Sequence, residues 1–236
     1  MKQTTMKARI TTLAAICAAF TTAPAQTIVD DFNGANIDAT KWTTAASGTG
    51  SVSQSGGFLN VTDGGGITSV AQYPVGLTIE GKFKITDNYD ALRIVIRTDG
   101  TFAGQYHEAA NGVGIKFVSS QHIDRWNEVS IQNPNYSAPW GIELRTPLNL
   151  GTLYDFKIVD TGTVVSVYLT DLVNPILSTS TTERGGNAFS VYNRFAFGRT
   201  SYVDSLSVTA TPEPTSAALL TLGVASLIGL RRRTKV

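Results

Sequence analysis

From Gln26 to Ala210 the chain is written in steps of two. Leu77, Ile79, Gly81, Phe83 and Ile85 alternate with Thr78, Glu80, Lys82 and Lys84. Leu92, Ile94 and Ile96 alternate with Arg93, Val95 and Arg97, and Val113, Ile115 and Phe117 with Gly114 and Lys116. Val165, Val167 and Leu169 alternate with Ser166, Tyr168 and Thr170. A period of two puts one apolar and one polar face on each strand. No stretch of useful length between Gln26 and Ala210 has helical spacing. Turn signals recur at Ser55-Gly56-Gly57, Asp63-Gly64-Gly65-Gly66, Asp99-Gly100, Thr161-Gly162 and Gly185-Gly186. Many short strands so punctuated predict an all-β, antiparallel two-sheet sandwich or barrel. The clearest hairpin joins Tyr154–Asp160 to Val164–Leu169 through Thr161-Gly162-Thr163. The small and polar stretch from Thr43 to Gly57 reads as a long loop.

Both ends depart from this pattern. Lys2, Lys7 and Arg9 precede a short apolar segment from Ile10 to Phe20, and Ala23-Pro24-Ala25 follows as a small-x-small cleavage site. Residues 1–25 are thus expected to be a signal peptide cut after Ala25. At the other end, Pro212-Glu213-Pro214 stops regular structure. An uncharged run from Ala217 to Leu230 then leads into Arg231-Arg232-Arg233. A membrane segment at 215–230 is short against the roughly 17–25 residues of a comfortable span. The arginines are expected to hold its end on the cytoplasmic side. The expected organisation is a signal peptide at 1–25, one β-sandwich domain at 26–210 and a tail at 211–236, with a basic end at 231–236.

Charge looks different once the ends are set aside. The whole chain is formally +1, but seven of its cations lie in the terminal segments. Residues 26–210 hold 12 Lys and Arg against 17 Asp and Glu, a net −5 with neutral histidine. A mildly acidic domain argues against a nucleic-acid partner. Cys17 is the only cysteine and lies in the signal segment, so the domain can form neither a disulfide nor a thiolate metal site.

The tail, with Pro212, Glu213 and Pro214, the apolar run, and Arg231, Arg232 and Arg233 in that order, resembles the PEP-CTERM sorting signal of exosortase-bearing Gram-negative bacteria. The resemblance covers about the last 25 residues. It implies an exosortase-type sorting protease as partner and transient anchoring in the inner membrane by the C-terminal helix. It also implies export to the cell envelope, cell surface or extracellular exopolysaccharide. A second resemblance lies in the domain. Asp30-Asp31-Phe32-Asn33-Gly34, Ile37-Asp38 and Lys41-Trp42 look like the opening strand and turn of concanavalin-A-like jelly rolls, which include laminin-G-like modules and glucanase-type glycosidases. Gly56 to Val61 resembles their second strand, and Asp204-Ser205-Leu206-Ser207-Val208 their closing strand, which pairs near the first.

The glucanase relatives carry a Glu-x-Asp-x-x-Glu strand, whose alternate carboxylates share one face and act as acid and nucleophile. This chain has no such motif: Glu143 stands alone, and Lys82 follows Glu80 where a carboxylate is wanted. His107-Glu108-Ala109-Ala110-Asn111 lacks the second histidine of a zinc-protease helix. No Gly-x-Ser-x-Gly elbow or phosphate-binding loop is present. A protein without catalytic activity is therefore expected.

Two binding constellations stand out. One is the polar face of the central strands, with Glu80, Lys82, Arg93, Arg97, Lys116, Asp155, Lys157 and Tyr168. It could form a sugar groove, though the pattern favours a solvated cross-strand lattice of charges. The other is the aromatic and amide cluster of Trp126, Asn133, Tyr136 and Trp140. Its rings could stack on sugars while its amides bond hydroxyls, or its tryptophans could face the core as Trp42 is expected to. The ligand-binding candidates are Trp126, Asn133, Tyr136, Trp140, Arg93 and Arg97. No cofactor is required. A structural calcium between the first and last strands, on carboxylates of Asp31 and Asp204, is the one metal site the jelly-roll resemblance offers; turn bonding by the same aspartates is the alternative. The function expected first is a structural or adhesive surface protein. A lectin-like carbohydrate-binding module, with an extracellular polysaccharide as partner, is the alternative, and a divergent glycoside hydrolase comes third.

Overall fold

The computed structural model describes residues 27–46, 50–62, 64–74, 76–87, 91–103, 108–109, 111–118, 129–132, 141–144, 148–193 and 199–210. All of them belong to one of two compact units of the chain, Gln26–Pro212. In chain order the described strands begin with β1 (Thr27–Asp30), β2 (Trp42–Ala45), β3 (Ser51–Ser55), β4 (Phe58–Thr62), β5 (Gly66–Ser69) and β6 (Leu77–Ile85). Next come β7 (Ala91–Thr98), β8 (Phe102–Ala103), β9 (Glu108–Ala109), β10 (Val113–Val118), β11 (Val129–Gln132) and β12 (Gly141–Leu144). The last are β13 (Tyr154–Asp160), β14 (Val164–Leu169), β15 (Leu177–Ser180), β16 (Ala188–Asn193) and β17 (Thr200–Ala210).

They form two large antiparallel sheets. One has eight strands in the order β15-β14-β13-β6-β17-β4-β3, with β1 added against β17. The other has seven in the order β12-β11-β10-β7-β16-β5-β2, and β8 and β9 make a small ribbon. The first and closing strands do pair: Ile28 faces Val208 and Asp30 faces Leu206. The expected hairpin is present, with Phe156 opposite Leu169 and Asp160 opposite Val165. The stretch read as a loop from Thr43 to Gly57 contains most of β2 and all of β3. These are edge strands of the two sheets, and a WTTA or SVSQS edge carries too little apolar pattern to announce itself.

The apolar faces meet in one core. Leu59, Val61, Ile79, Phe83, Phe156, Ile158, Val165, Val203 and Leu206 come from the eight-stranded sheet. Trp42, Ile67, Leu92, Ile94, Ile96, Ile115, Phe117, Ile131, Phe189 and Val191 come from the other. Each such side chain contributes roughly 1.5–3 kcal/mol when fully buried. Phe83 lies 4.7 Å from Phe117 and 5.8 Å from Phe156, centroid to centroid, so aromatic contacts cross between the sheets. Gly81 interrupts the apolar row of β6 because β17 shifts register between Val203 and Ser205 beside it. A Cβ there would stand 2.3 Å from the Ser205 carbonyl oxygen.

Entry into the sandwich is set by the first turn. Asp30 accepts from the Phe32 amide at 3.0 Å and from the Trp42 indole nitrogen at 2.7 Å. Trp42 is buried, as expected, and meets Phe189 edge-on at 5.5 Å.

Candidate functional site

The two outer faces of the sandwich are differently covered. On the eight-stranded sheet, β6, β13 and β14 alternate between buried and partly or fully exposed positions. On the seven-stranded sheet, every residue of β7, β10 and β16 is buried. The polar residues of those three strands are therefore the ones set in a desolvated place.

Register arranges them in rows across the sheet. Lys116 on β10 faces Ser130 on β11 and Arg93 on β7. Arg93 in turn faces Tyr192 on β16, which faces Gly66 on β5. The row reads Ser130, Lys116, Arg93, Tyr192, Gly66, and Glu143 of β12 takes the register position beyond Ser130. A neighbouring row reads Gln132, Gly114, Val95, Ser190, Thr68. Val95 and Tyr192 form a small apolar cluster of their own on this face. Ser190 and Thr68 share a hydroxyl hydrogen bond of 2.8 Å. Arg93 is 2 % and Lys116 1 % exposed. Ser130 Oγ and Gln132 Nε2 are buried without a hydrogen-bond partner among the described residues. Buried polar atoms are normally satisfied, so these two stand out on the face.

The polar face expected from alternation is thus two faces. Arg93 and Lys116 lie on the outer side of the seven-stranded sheet. Glu80, Lys82, Asp155, Lys157 and Tyr168 lie on the outer side of the other. There Lys82 approaches Asp155 at 3.4 Å with both half-exposed, and Lys157 sits 4.2 Å above the Tyr168 ring and donates to the Leu172 carbonyl. That second set is the solvated lattice.

Arg97 belongs to neither face. The pairing of β7 with β16 shifts register between Ala188 and Ser190, and Arg97 takes a φ of 56° there. The positive φ redirects its side chain to the end of β13. Its guanidinium grips Asp160 in two bonds of 2.6 and 3.0 Å and donates to the carbonyls of Thr181 and Glu183 at 2.8 and 3.3 Å. Both ion-pair partners are 1 % exposed. Arg97, expected as a ligand-binding residue, instead ties the two sheets together. Nothing in the sequence signals the bulge that turns it.

Trp126, Asn133, Tyr136 and Trp140 lie outside the described residues. So do Pro212, Glu213, Pro214, Arg231, Arg232, Arg233 and the cleavage site at Ala23 and Ala25. Asp31 is exposed and accepts from the Asn33 amide at 3.2 Å. Its hydrogen bonding to Asn33 holds its carboxyl below the ordinary aspartate range. Asp204 is half-buried on β17, at the register shift. Among the described residues no three His, Cys, Asp or Glu side chains group as metal ligands. Near Asp31 the oxygens already surround a cation: Lys41 Nζ is 2.9 Å from the Val29 carbonyl and 3.6 Å from both Asp30 and Asp38 carboxylates. Asn111, at the end of the incomplete zinc pattern, is a clamp whose amide oxygen accepts from Thr98 Oγ1 and the Asp99 amide.

No protein-family model matches the chain, and no curated protein does. Solved structures do. The exoplasmic/lumenal domain of VIP36 in its Ca2+/Man2-bound form has a TM-score of 0.56 at 10 % identity, covering 82 % of this chain and 92 % of that one. The Bacillus licheniformis β-glucanase has a TM-score of 0.56 at 13 % identity, covering 81 % and 100 %. Rv0315 of Mycobacterium tuberculosis, described as an immunostimulatory antigen and pseudo β-1,3-glucanase, has 0.57 at 12 % identity, covering 78 % and 98 %. These likenesses correct one expectation. A missing Glu-x-Asp-x-x-Glu strand pointed to a protein without catalytic activity, yet the fold is one on which β-glucanases are built, so that expectation does not stand. The fold expectation itself holds: the chain is an all-β, two-sheet antiparallel sandwich of the concanavalin-like jelly-roll type.

Proposed function

We propose that this chain is an exported glycan-recognising domain that meets its ligand on the outer face of the seven-stranded sheet. The observation that carries the reading is the row Ser130, Lys116, Arg93, Tyr192 with its neighbour Gln132. It is a continuous strip of hydrogen-bonding side chains across β11, β10, β7 and β16. Ser130 Oγ and Gln132 Nε2 there are buried and without a partner among the described residues. Sugar hydroxyls are suited to such groups, and sites on strands hold their geometry better than sites on loops. A lectin-type domain solved with Man2 and β-glucanases share the fold, which supports a carbohydrate ligand over a purely structural or adhesive role. The aromatic cluster of Trp126, Tyr136 and Trp140 would add stacking surfaces. Export through the signal segment and sorting by the Pro212–Arg233 tail are part of the same proposal. So is a calcium ion held by Asp31 and Asp204; a VIP36 domain has been solved with Ca2+.

The test is a glycan array probed with the full chain in detergent, with calcium and with chelator. Saturable binding that Gln132→Ala and Ser130→Ala weaken by about tenfold or more supports the site. Absence of binding to every glycan class overturns the reading. A second reading, cleavage of a β-glucan, is favoured by the β-glucanase fold and by the place of Glu143 in the same row. Release of reducing ends that Glu143→Gln abolishes would establish it.

A further inference from the structure

We infer that β3 is an interaction edge, at which two copies of this chain pair side by side across a two-fold axis. β3 is the last strand of the eight-stranded sheet, and Ser51, Ser53 and Ser55 on it are exposed. Gly56 and Gly57, with φ of 61° and 75°, form a two-residue turn that hydrogen-bonds Ser55 to Phe58. Bonded and unbonded pairs then alternate along the ladder. Ser51, Ser53 and Ser55 therefore turn their backbone groups to β4, and Val52 and Gln54 turn theirs outward. Among the described residues no backbone bond from beyond the sheet reaches either of them. Natural sheet edges are guarded by charge, proline or cover. Three other edges here are: Lys41 caps the Val29 carbonyl of β1, Glu143 lies in β12, and Arg97 holds the Thr181 carbonyl just past β15. β3 has no such guard. From Thr43 to Thr62 no residue is charged and none is proline, in a chain that is 16 % charged. A domain of net −5 over residues 26–210 meets its own copy with least repulsion on such a side. The partner is a second copy because the strand is its own complement. Turning Ser51-Val52-Ser53-Gln54-Ser55 about Ser53 sets Val52 opposite the partner's Gln54 and every serine opposite a serine. Val52 and the partner's Gln54 then exchange their outward backbone bonds, and serine hydroxyls meet across the outer face. Such a pair is isologous and closed. It also turns the seven-stranded faces of both copies to the same side of the joined sheet, so one polymer would meet two copies of the proposed glycan face. That consequence rests on the glycan reading; the pairing does not.

The experiment is sedimentation velocity of the full chain in detergent over a range of protein concentrations. The expected result is a reversible monomer–dimer equilibrium. Ser53→Lys sets two ammonium groups face to face and should raise the dimer dissociation constant at least about tenfold. Ser53 is exposed, so the monomer accepts the change. Ser53→Cys reads the register. Facing residues of an unbonded pair stand about 4.5 Å apart, Cα to Cα, within reach of a disulfide. Mild oxidation should therefore link Ser53→Cys chains. Ser55→Cys chains, whose thiol lies opposite the partner's Ser51, should stay unlinked. Cys17 is common to every variant and sets the background. A monomer at every concentration overturns the inference. So does a dimer that Ser53→Lys leaves intact, as association through the Ala217–Leu230 run would give. Equal linking of the Ser53→Cys and Ser55→Cys chains overturns it too. None of these outcomes touches the glycan reading, which the array decides.

Discussion

The two outer faces of the sandwich are made from the same residue types and use them in opposite ways. On the eight-stranded sheet, Lys82 and Asp155 are 45 % and 48 % exposed and pair at 3.4 Å in water. On the seven-stranded sheet, Lys116 and Arg93 are almost wholly buried side by side. The first arrangement tolerates error, because solvent completes any bond a side chain leaves open, and exposed pairs contribute about 0–1 kcal/mol. The second does not. Each buried donor must find an acceptor, and each charge a partner or a ligand. Function is more readily placed where the chain accepts that constraint.

Substitutions can break this contrast at graded strength. The largest effect is expected at the edge of the buried face, where Arg97 and Asp160 pair. Arg97→Met takes the guanidinium away from the buried Asp160 carboxylate, which keeps its bond from the Gly162 amide, and should cost about 3–5 kcal/mol, read by urea unfolding. A loss below about 1 kcal/mol would mean that the pair is solvated.

Chemical reactivity sharpens the comparison next. With an amine-acylating reagent under native conditions, Lys82 should be modified about a hundredfold faster than Lys116, whose side chain is buried on its face of the sheet. Peptide mass spectrometry over time gives the ratio, and equal rates would contradict the burial of β10.

The cleanest test uses one hydroxyl pair from each face. Ser190 and Thr68 bond at 2.8 Å in the buried row, and Ser166 and Ser178 at 2.9 Å on the exposed side, each pair directly opposed in register. Ser190→Ala strands Thr68 Oγ1 and should cost roughly 1–3 kcal/mol. Ser166→Ala should change stability by no more than about 0.5 kcal/mol. Thermal melts of the two variants measure the difference.

The smallest effect is in pH. The side-chain bond from Asn174 holds Asp171 below the ordinary aspartate value, and the Thr40 hydroxyl does the same for Asp38. Groups lowered in the folded state contribute fully above their unfolded value, about 3.9, and lose that contribution as pH falls through the folded value. Melting temperature should thus begin to fall near pH 4, and Asp171→Ala should make the fall slightly shallower. An unchanged slope would show that the turn bonds of Asp171 are absent in solution.

Much of this architecture was legible in residue order. The alternation in β6, β7, β10 and β14 marked strands and their apolar sides, because a pleated strand sends successive side chains to opposite faces. The pairing of the first strand with the closing strand, and the burial of Trp42, were also foreseen. The candidate site was legible only in pieces. Arg93 was singled out, but together with Arg97, which a bulge turns toward Asp160, and with charges that belong to the far side of the molecule. Ser130, Gln132 and Tyr192 carry no local signal at all.

Alternation states which side of a strand is apolar; it does not state which of two sheets the strand joins. That choice rests on pairings between distant segments, such as Thr68 with Ser190. The amino-acid order therefore determined the strands, their inward faces and the acidic balance of the domain. Tertiary structure alone decided that Lys116 and Arg93 would meet on a covered face while Lys82 and Asp155 met in water, because register and sheet assignment are properties of the assembled sandwich.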